Sequence, residues 1–460
     1  MTDVTARTDA PDLGGPRPPG TPAVDHLPVL RPHTHVDAHL QADLRTGTDV
    51  GTGHVVVDLD AVATNVDSLA RRTGRPVLAV VKADAYGHGL VPVARAALSG
   101  GASWLGVAQL DEALRLREAG IDAPVLAWLR SGDAEPVAAA LRRQVTLGVS
   151  HPRHVDAVVT AARASGQVAD LHVKVDTGLH RNGVDLADLP TVARALAEAE
   201  RAGLVAVSGV FSHLAWADSP DHPTVDLQAA AFAGAVDVLR EAGLRPGLRH
   251  LANSAATLTR PDLHLDMVRP GLAVYGLSPV PHLATPAQLG LRPALTLRSR
   301  LAHVRRVAAG EGVSYGHAWA APVDTVLGLV PLGYADGLPR SATGRAEVWV
   351  GAGAGRRVPV VGRICMDQLL VDLGPGARED VGADVVVLGP GLLGEPTAED
   401  WALAAGTISY EIVARMGARL PRRWTGAGDV ALPEEEPALD LDLDLDTGTD
   451  VRPRDGGAPW

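Results

Sequence analysis

Eight short apolar runs recur through the middle of the chain, most of them separated by stretches with the period of an α-helix. The runs lie at 77–82 (VLAVVK), 104–108 (WLGVA), 124–129 (PVLAWL), 145–149 (VTLGV), 171–175 (LHVKV), 207–213 (VSGVFSH), 248–253 (LRHLAN) and 265–271 (LDMVRPG). Helical periodicity fills gaps such as 111–119, 152–164, 189–202 and 225–242. A strand that is followed by a helix returns to the sheet parallel to its predecessor. Eight such units in about 220 residues point to an α/β fold, a (β/α)8 barrel. An open doubly wound sheet is the alternative. No G-x-G-x-x-G follows the first run, which weakens a dinucleotide-binding reading.

After about residue 290 the pattern changes. ALTLRSRLAHVRRV, VLGLVPLGY, AEVWV, VPVVGRICMDQLLVDL and ADVVVLG are β-like runs separated by Gly- and Pro-bearing turns. They predict a second, mainly β domain that ends in a helix near 408–416. The early run VVVDL at 55–59 precedes the first barrel helix and is a candidate to pair with this domain. Four segments follow: a disordered extension at 1–52, the barrel at 53–290, the β domain at 291–428 and an acidic disordered tail at 429–460.

Composition narrows the function classes. The chain has 460 residues, 46% of them apolar, enough for two or three domains with a sizeable core. No run of eighteen apolar residues predicts a membrane span, and the first fifty residues carry no secretory pattern, so a cytoplasmic location is expected. One cysteine, Cys365, excludes a disulfide framework and a Cys-rich zinc site, and no metal is expected. Residues 429–460 hold ten acids against two arginines, and residues 1–50 hold seven against four. Together they account for nearly all of the net charge of −12, so the body is close to neutral and offers no electrostatic footprint for nucleic acid.

Of the 42 basic residues only Lys82 and Lys174 are lysines. Arginine replaces lysine wherever only charge is needed, but a guanidinium cannot lose its proton and attack a carbonyl. Each remaining lysine is therefore a candidate for amine chemistry. In a barrel the carboxyl ends of the strands face the active site. The ends of these runs carry Lys82, Lys174, His213, Asn253, Ser254, Arg269 and Gly271. The five tyrosines, Tyr86, Tyr275, Tyr315, Tyr334 and Tyr410, each sit beside a glycine or in a polar motif. Their hydroxyls suit phosphate binding, substrate positioning or proton transfer.

At these residues the sequence resembles the pyridoxal-phosphate-dependent alanine racemase family. AVVKADAYGHG (79–89), HVKVDTGLHRNG (172–183), FSHLAWAD (211–218), NSAA (253–256), DMVRPGLAVYG (266–276), GEGVSYG (310–316), GYADG (333–337), GRICMDQ (362–368) and SYEI (409–412) carry the likeness, in the family's order. It covers roughly 53–424. The resemblance implies that Lys82 forms the internal aldimine with pyridoxal phosphate and acts as one acid/base group. It implies that Tyr315 of a second subunit is the other, so that a homodimer shares its active sites. Tyr86, Ser254, Tyr410 and the backbone at Gly271 and Leu272 would hold the phosphate, with Asn253 beside them. His213 would pack on the pyridine ring, and Arg269 would face its nitrogen. Arg181 and Met366 would contact the alanine substrate, Tyr334 and Tyr275 would line a narrow entrance, and Asp367 would lie near the substrate.

Lys174 corresponds to a position often carbamylated in the family, where the resulting anion pairs with Arg181. The plain alternative is an ion pair with Asp176. Three departures from the family pattern stand out: Asp84 for asparagine, Leu179 and His180 for Met-Gly, and Phe211 and Ser212 for Tyr-Thr. The implied activity is interconversion of L- and D-alanine, supplying D-alanine for peptidoglycan. A broader amino-acid racemase, a non-catalytic pyridoxal-phosphate carrier and another barrel enzyme using the same cofactor are the competing readings. The VSYG, GYADG and CMDQ motifs argue against a carrier, which needs no second base.

Overall fold

The structure, a computed structural model, describes residues 52–128, 134–351 and 355–426. The tails expected to be disordered lie outside these residues, apart from Thr52. A seven-stranded parallel sheet forms the first layer, in sequence order: β2 (Leu78–Val80), β3 (Trp104–Val107), β4 (Val125–Ala127), β5 (Thr146–Val149), β6 (Ala169–Lys174), β7 (Val205–Phe211) and β8 (Leu248–His250); β1 (Gly53–Asp58) belongs to another sheet. Helices Leu110–Glu118, Pro152–Ser165, Leu189–Arg201 and Pro223–Glu241 fall within two residues of the periodic stretches. Their ends follow local chemistry. In Pro152–Ser165 a proline opens the first turn and Gly166 closes the last at φ 66°.

The eighth run, expected as a strand at 265–271, is instead a turn at 265–266 followed by an irregular segment that closes the ring. Val268 bridges Val77 in parallel. The Leu78 and Val80 amides donate to the carbonyls of Val268 (2.9 Å) and Pro270 (3.0 Å). On the other flank the Asp266 and Arg269 amides donate to Arg249 (3.1 Å) and Ala252 (2.9 Å). Pro270 has no amide hydrogen to extend the ladder, which explains why regular pairing stops there.

The second layer is a nine-stranded sheet. Its strands are β1 (Gly53–Asp58), β9 (Leu295–Arg300), β10 (His303–Val307), β13 (Thr325–Val330), β14 (Glu347–Val350), β15 (Arg356–Val361), β16 (Leu369–Asp372), β17 (Asp384–Leu388) and β18 (Arg422–Thr425). A separate two-stranded ribbon joins β11 (Gly312–Val313) and β12 (Trp319–Ala320). Strand β1 lies between β9, antiparallel, and β18, parallel. The early VVVDL run therefore pairs with the β region, although the chain then enters the barrel through helix Leu59–Thr73. Asp58 caps that helix by accepting from the Ala61 amide at 2.9 Å. Asn65, inside it, pins the two layers together. Its side chain donates to the carbonyls of Val274 (3.1 Å) and Arg292 (2.9 Å) and accepts from the Arg292 amide (2.8 Å).

The last helix among the described residues, Ser409–Ala414, packs on the turn that follows β2, with the Tyr410 and Tyr86 ring centroids 6.0 Å apart. Arg422 and Trp424 of β18 donate to the carbonyls of Gly87 and His88, both at 2.9 Å. The β region thus grips the barrel beside Lys82.

Candidate active site

Lys82 stands two residues beyond β2, at the carboxyl end of the barrel. The turn after it is left-handed: Ala83, Asp84, Ala85 and Tyr86 have φ of 53°, 52°, 52° and 52°. This conformation costs an L-residue about 1–2 kcal/mol each. It is held by the Ala85 amide on Val81 (2.9 Å), the Gly87 amide on Ala83 (3.1 Å) and the Gly89 amide on Asp84 (2.9 Å). Asp84, in the family's asparagine position, tolerates the left-handed region and caps the next helix through the Leu90 amide (3.0 Å). As an acid it also faces two arginines, Arg422 at 3.7 Å and Arg115 at 3.9 Å.

Around this mouth the strand ends deliver the other expected residues. Lys174 is the last residue of β6, and His213 lies two beyond β7. Asn253 caps helix Ser254–Thr259 by accepting from the Ala256 amide at 3.1 Å, and Arg269, Gly271 and Leu272 lie on the closing segment and just past it. Ser254 Oγ accepts from the Gly271 amide (2.8 Å) and the Ala273 amide (3.2 Å), so its own hydrogen is free to donate outward. A Cβ on Gly271 would stand 2.6 Å from the Tyr86 hydroxyl. Only glycine leaves that cradle open. Burial pushes the Tyr410 phenol up to about 12, and Tyr86 well above the usual range, so both stay protonated donors.

Arg181 raises the potential at Lys82, and Arg181, Arg269 and Lys82 raise it at Lys174. Burial, then Arg181, lowers the Lys82 amine below its ordinary range, while Glu112 works the other way. Burial and the cations Arg181, Arg269 and Lys82 bring Lys174 to about 8. Burial and Arg269 hold His213 near 3, so it is neutral. A mouth with four cations, hydroxyl donors and a neutral ring suits an anionic aromatic cofactor, and the donor set fits the phosphate and ring of pyridoxal phosphate.

Lys174 donates to Asn182 Oδ1 rather than pairing with Asp176. Asp176 Oδ1 is occupied by the Gly178 (2.9 Å), Leu179 and His180 amides (both 3.1 Å). That turn lets His180 sit at φ 55° where the family has glycine. Ser212, in the threonine position, keeps a hydroxyl that donates to the Val175 carbonyl at 2.7 Å.

Tyr315, Tyr334, Met366 and Asp367 are gathered elsewhere, on the β region. The Tyr334 and Ala335 amides donate to the carbonyls of Cys365 and Met366, both at 3.0 Å. Arg419 bridges Asp367 (2.8 Å) and buried Asp336 (3.4 Å). Ser314, before Tyr315, donates to the Arg363 carbonyl at 2.9 Å. Tyr315 is 70% exposed and Met366 53%. The expected residues thus form two groups, one sunk in the barrel mouth and one displayed outward.

One expectation is corrected. Tyr275 does not line an entrance. It is fully buried, donates to the Val80 carbonyl at 2.8 Å and packs under Tyr86 with centroids 4.8 Å apart.

Several contributors were missed, and they gather round the expected Arg269. That side chain is buried and donates to the carbonyls of His250 (2.5 Å) and Ser212 (2.6 Å). It also meets His250 Nδ1 at 3.1 Å, and His250 Nε2 meets His172 Nδ1 at 2.8 Å. His172 crosses the barrel interior against Gly209, where a Cβ would come within 2.6 Å of the ring. Buried Gln228 donates to the His213 carbonyl at 3.1 Å and so holds that loop. Period-two alternation signals His172, which shares a strand face with Lys174. Gln228 carries no sequence signal.

Such a rim is that of a β/α-barrel enzyme for amine chemistry, joined to a β region that carries further polar groups on its surface. Residues 57–279 match the family model "Alanine racemase, N-terminal domain", and residues 294–424 match "Alanine racemase, C-terminal domain". The alanine racemase of Thermobifida fusca is 54% identical over 377 residues, 81% of this chain and 97% of that one. That of Mycobacterium avium is 51% identical over 380 residues, 82% and 95% respectively. The crystal structure of alanine racemase from D-cycloserine-producing Streptomyces lavendulae superimposes with a TM-score of 0.80 at 49% identity, covering 82% of this chain and 98% of that one. The chain belongs to the alanine racemase family.

Proposed function

We propose that the protein interconverts L- and D-alanine with pyridoxal phosphate as cofactor, and that two copies of the chain complete each site. The observation that carries this reading is the separation of the two expected acid/base residues. Lys82 lies in the barrel mouth among cations and phosphate-type donors, while Tyr315 stands exposed on the β region. A residue displayed in this way suits delivery to the mouth of a second copy.

Pyridoxal phosphate, when bound, supplies a carbonyl for the amino group and a conjugated ring that stabilises negative charge at Cα. The hydroxyls of Tyr86, Ser254 and Tyr410 and the backbone near Gly271 and Leu272 would hold its phosphate, beside Asn253. Arg269 would face the ring nitrogen, and neutral His213 would pack on the ring. Burial lowers Arg269 to about 9, still charged at neutral pH, and it donates only. As a donor it would favour an unprotonated ring nitrogen, limiting charge withdrawal and the side reactions that follow from it.

Lys82 moves the Cα proton on one face of the substrate, and the partner copy's tyrosine at position 315 moves it on the other. Two groups on opposite faces invert the centre without turning the substrate. Arg181 and Met366 hold the substrate, with Tyr334 and Asp367 flanking it. Lys174, with its lowered amine, is the candidate for carbamylation and for pairing with Arg181.

Relatives about half identical over four-fifths of the chain bear the alanine racemase name, which favours this reading over a non-catalytic carrier or a racemase of broad specificity. No helix among the described residues is long and apolar enough to cross a membrane. We place the enzyme in the cytoplasm, where D-alanine is needed for peptidoglycan precursors. Purified protein assayed across a panel of L-amino acids, with visible absorbance followed, tests the reading. Alanine should racemise fastest, and a protein that races none of the panel while holding the cofactor would overturn it.

A further inference from the structure

The left-handed turn that begins at Lys82 is unfavourable four residues in a row, and none of Ala83 to Tyr86 is a glycine. Its first amide, that of Ala83, points out of the turn and donates to Oε1 of Glu112 at 2.5 Å. The other oxygen of the same carboxylate accepts from the amides of Ala108 (2.9 Å) and Gln109 (3.0 Å). Glu112 is buried, and it lies at the third position of helix Leu110–Glu118, just past β3. One carboxylate thus joins the end of β3 to the turn after β2.

We propose that Glu112 is a positioning residue for Lys82, clamping the left-handed turn that carries it through the Ala83 amide. The proposal rests on the assignment of Lys82 as the cofactor-bearing lysine.

Only a carboxylate serves this place. Three amides converge on the two ends of one short planar group, so both ends must accept. Glutamine offers one acceptor and one donor and turns its donor on an amide at one end. Aspartate is one methylene too short to span both segments. The charge has a second effect. Arg181 lowers the Lys82 amine, and Glu112 works against it.

The test uses the full chain as Glu112→Gln and Glu112→Ala beside the unaltered protein. Each is stripped of cofactor, and free pyridoxal phosphate is added back. The rate at which the cofactor rejoins Lys82 is read from visible absorbance and borohydride trapping. Rejoining should slow about 10- to 100-fold, and kcat per lysine-linked cofactor should fall by a similar factor. KM for alanine should stay within about threefold, because the substrate contacts are untouched. Unaltered rejoining and kcat in a folded variant would overturn the proposal, as would a loss seen only in melting temperature. If Glu112→Ala does not fold, the isosteric Glu112→Gln carries the kinetic arm.

Hydrogen exchange on the unaltered protein needs no variant. The Ala83 amide should be protected like the barrel strands, and exchange at the rate of an open turn would overturn the clamp. Failure of the unaltered protein to bind cofactor at Lys82 would instead strike the functional assignment.

Discussion

Arg269 donates to Nδ1 of His250 across 3.1 Å, and this contact fixes where the protons of two histidines sit. A guanidinium has no acceptor, so His250 Nδ1 must accept and its proton lies on Nε2. That proton is donated to His172 Nδ1 at 2.8 Å, which leaves His172 protonated on Nε2. Both rings must be neutral for this chain to hold. Burial, with Arg269 beside them, keeps His250 well below its ordinary range and His172 near 4.

The first prediction concerns acid. His88 and His172 are held near 4, His213 near 3 and His250 well below its usual value. Unfolded histidine titrates near about 6.5. Above that pH neither state binds the proton, and these groups cost nothing. As pH falls from about 6.5 towards 4 the unfolded chain takes up protons that the folded chain refuses. Each histidine then removes about 1.4 kcal/mol per pH unit. Urea unfolding at pH 8, 7, 6 and 5 should show a flat upper range and a steep loss below 6.5. Constant stability down to pH 5 would contradict the buried neutral chain.

Ser254→Ala leaves the amides of Gly271 and Ala273 without their acceptor. Each unpaired buried donor costs about 1–3 kcal/mol. Cofactor affinity, titrated by absorbance into stripped protein, should fall by about 10- to 100-fold. Gly271→Ala should do at least as much, because its Cβ meets the Tyr86 hydroxyl.

Lys174, with an amine near 8, is neutral in about one molecule in ten at pH 7. Incubation with 13C-bicarbonate should give a carbamate resonance that is absent from Lys174→Ala and lost on acidification. A spectrum without it at saturating bicarbonate would leave Lys174 as a plain donor to Asn182.

Much of this architecture is readable from sequence. Alternating apolar runs and helical stretches announce the barrel, because each period reflects which side chains a strand or helix can bury. The closing segment keeps its place but not its regularity, since Pro270 removes a ladder donor. Tyr275 misleads because its Tyr-Gly setting matches that of exposed Tyr315, and nothing local reveals that the Val80 carbonyl will take its hydroxyl. Glu112 is invisible for the opposite reason. An acid in the first turn of LDEALRLRE reads as an ordinary helix start, and its true partner, Ala83, is 29 residues away. ADAY offers no glycine to betray a left-handed turn. Such a turn is affordable only where tertiary contacts enforce it.

A chain of residues 51–428 should fold and racemise alanine at a rate near that of the full sequence, since every matched motif lies within 53–424. A soluble but inactive shorter chain would show that a tail contributes to the site or to assembly.

Sharing of the site between two copies is tested most directly by mixing Lys82→Ala with Tyr315→Phe. Each variant alone should be nearly inactive, because every site lacks one acid/base group. A mixed dimer places both defects in one site and leaves the other with both groups intact. Co-expression should therefore restore activity, up to about one half per mixed dimer. With mixed dimers confirmed by mass spectrometry, a complete absence of restored activity would contradict a site built from the Lys82 of one copy and the tyrosine of the other.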